Sequence, residues 1–368
     1  MSNRRVCIPA VVLLAACAAS VFAQPTAQDY LERARVLVEE EDRVEEAVLI
    51  LSQAVAVDPH CTQAYLDRGQ ALVYLKWHEL AVADYTMALE LEPSAEGYDR
   101  RAFAYRAMKA YDLAAADYTK LLGIEPEVAD NWEHRADAYL RLRRYDLAAS
   151  DYGQAISLDP NTARRWRSRG SAYRAAEQYD KAIADYTRAI ELSSPAVAAY
   201  SYAERAALHR ERGDHAAALA DFTRAVQSYP DYTYAWIDRA FTHIQLEQYD
   251  VALPDLDRAL DLSPGHPEAL LYRGIALAAQ EEYDAALAAL NGALVADATV
   301  ADSYYHRGRL FHRLGHEESA MQDYGQAIRL DPKSARAYEA RADSWRALGN
   351  AGMAERDLAM ARELGKTE

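Results

Sequence analysis

Three histidines, His306, His312 and His316, lie close together near the C-terminal end, and the last two are four residues apart. Imidazoles one helical turn apart can share a metal ion if the helix runs through both. His316 falls instead where a turn is predicted, which argues against a metal site. Elsewhere the spacing of catalytic equipment is missing: there is no glycine-rich phosphate loop, no His-Glu-x-x-His and no Cys-x-x-Cys. The expectation is a non-catalytic chain without cofactors. Cys7 and Cys17 sit at the very start, which leaves Cys61 alone and predicts no disulfide framework. The chemistry that does recur is ionic. Arginine returns at Arg68, Arg101, Arg135, Arg169, Arg205, Arg239, Arg273, Arg307 and Arg341, and aspartate at Asp84, Asp117, Asp151, Asp185, Asp221, Asp255, Asp323 and Asp357. A planar guanidinium holds a carboxylate through two parallel bonds, so the two columns predict a ladder of ion pairs between helices.

The elements that carry these columns are repeats. A phrase reads Tyr-Asp-Leu-Ala-Ala-Ala-Asp-Tyr at 111–118 and returns, slightly altered, at 145–152 and 179–186. Pro59, Pro93, Pro126, Pro160, Pro195, Pro230 and Pro264 follow one another at intervals of 33 to 35 residues, and Pro332 comes two intervals later, with Ala298 at the skipped place. Such a period means one supersecondary unit stacked about ten times. Alanine occupies one column throughout, from Ala47 and Ala81 to Ala320 and Ala354. Large aromatics such as Trp132, Trp166, Trp236, Tyr118 and Tyr152 fill others. Spacings of three, four and seven are helical, so each repeat is a helix, a short turn and a second helix, ended by a proline that cannot prolong it. The first repeat lacks both ladder residues, having Ala34 and Ile50, which favours pairing inside a repeat, with pairing to a neighbouring repeat as the alternative. The eighth keeps Arg273 but has Ala289 in place of aspartate.

The pattern Trp166-x-x-Arg169-Gly170-x-x-Tyr173, Tyr179-Asp180-x-Ala182, Tyr186-x-x-Ala189 and Pro195 resembles the tetratricopeptide repeat, and its recurrence covers residues 26–366. It departs from the family where arginine replaces the leucine before the small residue. The resemblance implies an all-α, right-handed superhelical solenoid of about ten helix-turn-helix repeats, lined on its concave side by first helices and serving protein–protein recognition. It places contact residues at the second, fifth, ninth, twelfth and thirteenth positions of each first helix. Those positions hold Arg164, Arg167 and Arg174 in the fifth repeat and Arg210 in the sixth. They hold Tyr234, Ile237, Phe241 and Ile244 in the seventh and Leu271 and Ile275 in the eighth. A basic stretch beside an apolar one suits a peptide or helix with acidic and hydrophobic anchors. The Lys/Asn set with which some relatives grip a chaperone's C-terminal carboxylate is missing, since Leu66, Gln70, Asp99 and Phe103 stand there. Pro254, inside a predicted second helix, predicts a local irregularity.

Arg4 and Arg5 precede an apolar run from Val6 to Ala19, then Val21-Phe22-Ala23. That is the charged, apolar and small-x-small order of a secretory signal, so residues 1–23 are expected to be removed and the protein to be exported and periplasmic. Leu14-Ala15-Ala16-Cys17 resembles a bacterial lipobox, and acylation of Cys17, giving an outer-membrane-anchored lipoprotein, is the alternative. That lipid would be the one membrane attachment. The net charge of −16 opposes phosphate backbones, so a protein or peptide partner is expected and nucleic acid is not. The resulting expectation is an interaction scaffold or adaptor of the bacterial envelope. The alternatives are an architectural, self-assembling solenoid or an accessory that recruits a separate enzyme.

Overall fold

The computed structural model describes residues 25–39 and 43–365. The expected signal sequence at 1–23, Cys17 within it, and residue 366 at the end of the repeat array lie outside the described residues. The rest divides between Pro126 and Glu127 into two compact bodies. The first holds three helical pairs: α1 (Ala27–Glu39) with α2 (Val44–Val57), α3 (Thr62–Tyr74) with α4 (His78–Leu91), and α5 (Ala95–Ala107) with α6 (Tyr111–Ile124). The second holds seven. These are α7 (Ala129–Arg141) with α8 (Tyr145–Leu158), α9 (Ala163–Ala175) with α10 (Tyr179–Leu192), α11 (Pro195–Glu211) with α12 (His215–Ser228), and α13 (Thr233–Gln245) with α14 (Tyr249–Leu262). They continue with α15 (Pro267–Ala279) and α16 (Tyr283–Ala296), α17 (Ala301–Arg313) and α18 (Glu317–Leu330), and α19 (Ala335–Ala347) and α20 (Ala351–Leu364). No strand occurs among the described residues.

The nine pairs from α3–α4 onward close through the same turn. The residue two past the first helix takes a left-handed backbone: Lys76, Lys109, Arg143, Glu177, Gly213, Glu247, Glu281, Gly315 and Gly349 have φ between 58° and 78°. Its N–H and that of the following residue turn back to carbonyls of the last helical turn. In the second repeat, for example, Lys76 N donates to Val73 O at 2.9 Å and Trp77 N to Leu72 O at 2.8 Å. These bonds satisfy carbonyls that a helix end leaves bare. The small columns then let the two helices meet. Ala81, Ala114, Ala148, Ala182, Ala218, Ala252, Ala286 and Ala320 have no exposed surface. At Gly308 a Cβ would lie 2.8 Å from the Tyr324 ring, so the absence of a side chain there is a condition of the packing. Two of the tryptophans fasten successive repeats by donating Nε1–H to the carbonyl of the boundary proline, Trp166 to Pro160 at 2.8 Å and Trp236 to Pro230 at 2.9 Å.

The ionic ladder forms inside every repeat but the first and the eighth. Arg169 donates from Nε to Asp185 Oδ2 at 2.7 Å and from Nη2 to Oδ1 at 2.8 Å. The same two-bond fork joins Arg68 to Asp84, Arg101 to Asp117, Arg135 to Asp151, Arg205 to Asp221, Arg239 to Asp255, Arg307 to Asp323 and Arg341 to Asp357. Every one of these carboxylates is buried. A third donor often reaches the preceding repeat, as from Arg205 Nη1 to Thr187 Oγ1 at 2.7 Å and from Arg307 Nη1 to Asn291 Oδ1 at 2.7 Å. Each rung therefore fastens a helix pair and can tie it to the pair before. The eighth repeat shows how the ladder accommodates Ala289. Arg273 turns its Nε to Asp257 on α14 of the preceding repeat at 2.9 Å, at the place where Thr187 and Asn291 serve elsewhere.

Helix α14 runs its full fourteen residues through Pro254 without a break. Proline there forfeits only the bond to the carbonyl of Asp250, an exposed residue in the first turn whose carbonyl water can serve. The departure near the proline is confined to the helix start, where Val251 N also donates to Gln248 O at 3.2 Å.

Candidate functional site

The inner side of the second body is set by its first helices. Successive first helices touch one another, α13 with α15, α15 with α17 and α17 with α19, whereas no two second helices among the described residues meet to that extent. A stack that is closer-packed on one side bends toward it, so the first helices line the concave face.

This crowding decides which predicted contact residues remain open. Ile237 and Leu271, both at the fifth position, are only 3% and 4% exposed. The adjoining first helix closes over that position, and both side chains belong to the core rather than to a docking surface. Phe241 is half-buried, with its ring stacked on Tyr272 at 4.7 Å and the Arg210 guanidinium 5.1 Å from its centre. Arg210 also donates to Asp238 Oδ1 at 2.8 Å. The expected basic and apolar anchors thus consume one another. Arg174 binds Glu204 at 3.0 Å and also Glu211, and Arg164 sits 2.9 Å from Glu133. Arg167 has no carboxylate partner and lies over the Tyr200 ring at 5.6 Å. Ile244 is half-buried, Tyr234 is exposed, and the Tyr234 ring stands edge-on to His266 at 5.3 Å. The free basic stretch expected at the fifth and sixth repeats is therefore largely neutralised by the protein's own acids.

Part of that neutralisation is a buried network. Arg165, 5% exposed, donates to Glu133 Oε2 at 3.0 Å, to Asp130 Oδ1 at 2.5 Å and to Asp159. Glu133 itself is 1% exposed. A buried carboxylate of this kind is stable only with a charged partner, and the arrangement locks α7 to α9. The sequence carried a signal for it: Arg165 stands in a column otherwise held by small or short residues such as Ala64, Gly97, Ser201, Ala235, Ala269 and Ser303.

The open part of the inner face lies further along. A cleft of about 860 Å³ is lined from the α13–α14 turn, where Glu247 and Tyr249 sit, to α19. Of the predicted residues only Ile275 borders it. The lining also includes Ala278 and Ala279 on α15, Tyr305, His306, Arg309, His312 and Arg313 on α17, and Arg336, Glu339 and Asp343 on α19. Most of these stand at the same positions of their helices as the residues predicted in earlier repeats. Tyr305 lies under two guanidinia, Arg336 at 4.6 Å and Arg309 at 5.9 Å. Arg336 also binds Asp302. Arg313 donates to the Ala278 carbonyl at 3.1 Å. Burial, and then the Arg309 charge, lower the His306 pKa to about 4, so this imidazole is neutral near pH 7. His312 Nδ1 lies 2.8 Å from Glu317 Oε2 and 3.2 Å from Ser344 Oγ, and the His316 ring stacks on Phe311. No group of three or more potential metal ligands gathers among the described residues.

Paired helices of near-constant length, repeated with the same turn and the same rung, define an all-α repeat solenoid. Models of the tetratricopeptide repeat match residues 31–96, 95–128, 129–162, 163–194, 205–274, 243–310 and 301–334, and the chain belongs to that family. No curated protein matches it. Among solved structures it is similar to the Cut9–Hcn1 hetero-tetramer of the APC/C, with 15% identity and a TM-score of 0.55 over 93% of this chain and 85% of that one. Yeast Tom70 gives 15% and 0.50 over 93% and 86%, and a tetratricopeptide repeat protein from Parabacteroides merdae 18% and 0.50 over 68% and 98%. At these identities the likeness is one of fold.

Proposed function

We propose that the protein is a non-catalytic interaction scaffold of the bacterial envelope that receives a peptide or helical segment of a partner protein on the inner face of its second body. The observation that carries this reading is the cleft between α15 and α19. It is large, open and polar, whereas the same face at the fifth to seventh repeats is filled by its own ion pairs and ring stacks. A concave face lined by first helices suits helix-in-groove or extended-chain recognition. Membership of the tetratricopeptide repeat family supports protein recognition as the general role.

A photo-reactive amino acid at Glu339 tests it. Cross-links to one partner from Glu339, absent from the same probe at the exposed outer residue Val295, are expected. Equal capture at both places, or cross-links only between copies of this chain, would refute groove binding. Export is read from the leader-like sequence, and mass spectrometry of the mature N-terminus should find Gln24 or an acylated Cys17. An intact Met1 start in the mature protein would remove the envelope from the proposal.

A further inference from the structure

We propose that the cleft takes an extended peptide through an internal aspartate or glutamate side chain, whose carboxylate is held between Arg309 and Arg313. The inference rests on the scaffold reading and names the chemistry of its ligand.

Arginines on the inner face of this acidic chain are as a rule already spent: Arg164 on Glu133, Arg174 on Glu204 and Glu211, Arg210 on Asp238. Arg167, which lies over the Tyr200 ring, departs from the rule singly, and Arg309 and Arg313 depart from it as a pair on one helix. Arg309 has the Tyr305 ring and no carboxylate, and Arg313 has the Ala278 carbonyl and the Tyr283 ring and no carboxylate. Both are exposed, and both line the cleft. Four residues apart on α17, they project from one face with Cβ atoms roughly 6 Å apart, a separation that one carboxylate can bridge with an oxygen to each guanidinium. The opposite wall supplies the second observation. Glu339 on α19 is exposed, lines the same space and has no cationic partner. Opposite charges thus line one cleft without an ion pair between them, and an extended chain can lie against both. The lining crosses parts of four successive repeats, so a peptide passes through rather than ending there, and this favours a side-chain carboxylate over a C-terminal one. Glu339 repels a second acid on that side and fixes the direction in which the acidic residue points.

The probe is a display library of random dodecapeptides, selected on the full mature chain and on the R309Q/R313Q variant, with thermal melts confirming that both are folded. Wild type is expected to enrich peptides with one internal Asp or Glu, and the variant to lose that enrichment. For one selected peptide, Glu→Gln in the peptide and R309Q/R313Q in the protein should each weaken binding at least tenfold. The two changes together should cost no more than either alone. Charge exchange supplies a further check: R309E should prefer the Lys form of the same peptide. Peptides selected without acidic enrichment, or bound equally by the variant, overturn the carboxylate assignment and leave the scaffold reading intact. Binding only through a free C-terminal carboxylate, abolished by amidation, also overturns it. If neither protein selects any peptide, the groove-binding reading itself fails.

Discussion

Ala289 is a single missing carboxylate, and it shows what the arginine ladder is for. Where Asp185 faces Arg169, the fork is shielded on both sides, with the carboxylate buried and the arginine mostly so. Removing one partner of such a pair strands the other charge, at a cost of about 3 kcal/mol or more. Arg273 avoids that fate by borrowing Asp257, yet that pair stays wet, with side chains 33% and 58% exposed. Asp185→Ala is therefore expected to lower stability in urea titration by about 3 kcal/mol, and Asp257→Ala by less than about 1 kcal/mol, as exposed pairs do. Equal losses would show that burial does not set the value of a rung. His306 offers a second test. Its folded pKa of about 4 lies below the ordinary imidazole value of 6.5, so between those limits the unfolded chain binds the proton that the folded chain refuses. Its contribution is fully present above pH 6.5 and is lost as the pH falls toward 4. His306→Asn should flatten the decline of melting temperature across that window, while an unchanged slope would assign the acid sensitivity elsewhere.

From the second pair onward each turn holds one residue with positive φ, and in six of these nine described turns that residue carries a side chain. A left-handed conformation costs an L-residue roughly 1 kcal/mol that glycine does not incur. Glu281 has φ 67°, and its repeat has the second-helix alanines and Schellman bonds common to the others. Glu281→Gly should raise the melting temperature through a gain of up to about 1 kcal/mol, net of the extra freedom glycine gives the unfolded chain. A fall would mean that the glutamate makes a contact worth more than its strain. The turn also explains why α14 survives Pro254. The Schellman bonds and the alanine contacts fix where a second helix begins, and one lost backbone bond in its second turn does not move either.

At the scale of the molecule, stability is a sum over neighbours. Within each body a repeat packs chiefly against its neighbours in the chain, so its stability is largely a matter of nearest-neighbour contacts. Deleting residues 335–368 removes α19 and α20, two of the twenty described helices, and should cut the helical circular dichroism signal by about a tenth without collapsing the rest. It should also abolish peptide binding, because one wall of the cleft goes with it. A cooperative loss of most of the helix would contradict nearest-neighbour stability. The net charge of −16 acts at this scale too, since it makes Arg309 and Arg313, without a carboxylate partner among the described residues, exceptions on an acidic chain.

The fold was legible because its information recurs at short, fixed intervals. Alanine columns, helical spacing, the boundary prolines and the Arg–Asp rungs all act within one repeat, and a pattern written ten times over corrects its own exceptions. The open site was not legible, because openness depends on partners about one repeat away. Glu133 meets Arg165 across 32 residues, Arg210 meets Asp238 across 28, and Arg174 meets Glu211 across 37. Sequence gave the positions that face inward, but charge and apolarity at those positions say nothing about who already occupies them. Side chains of neighbouring first helices compete for the same inner space, and only their three-dimensional packing decides that Ile237 and Leu271 are enclosed while Arg309 and Arg313 stay exposed without a carboxylate partner among the described residues.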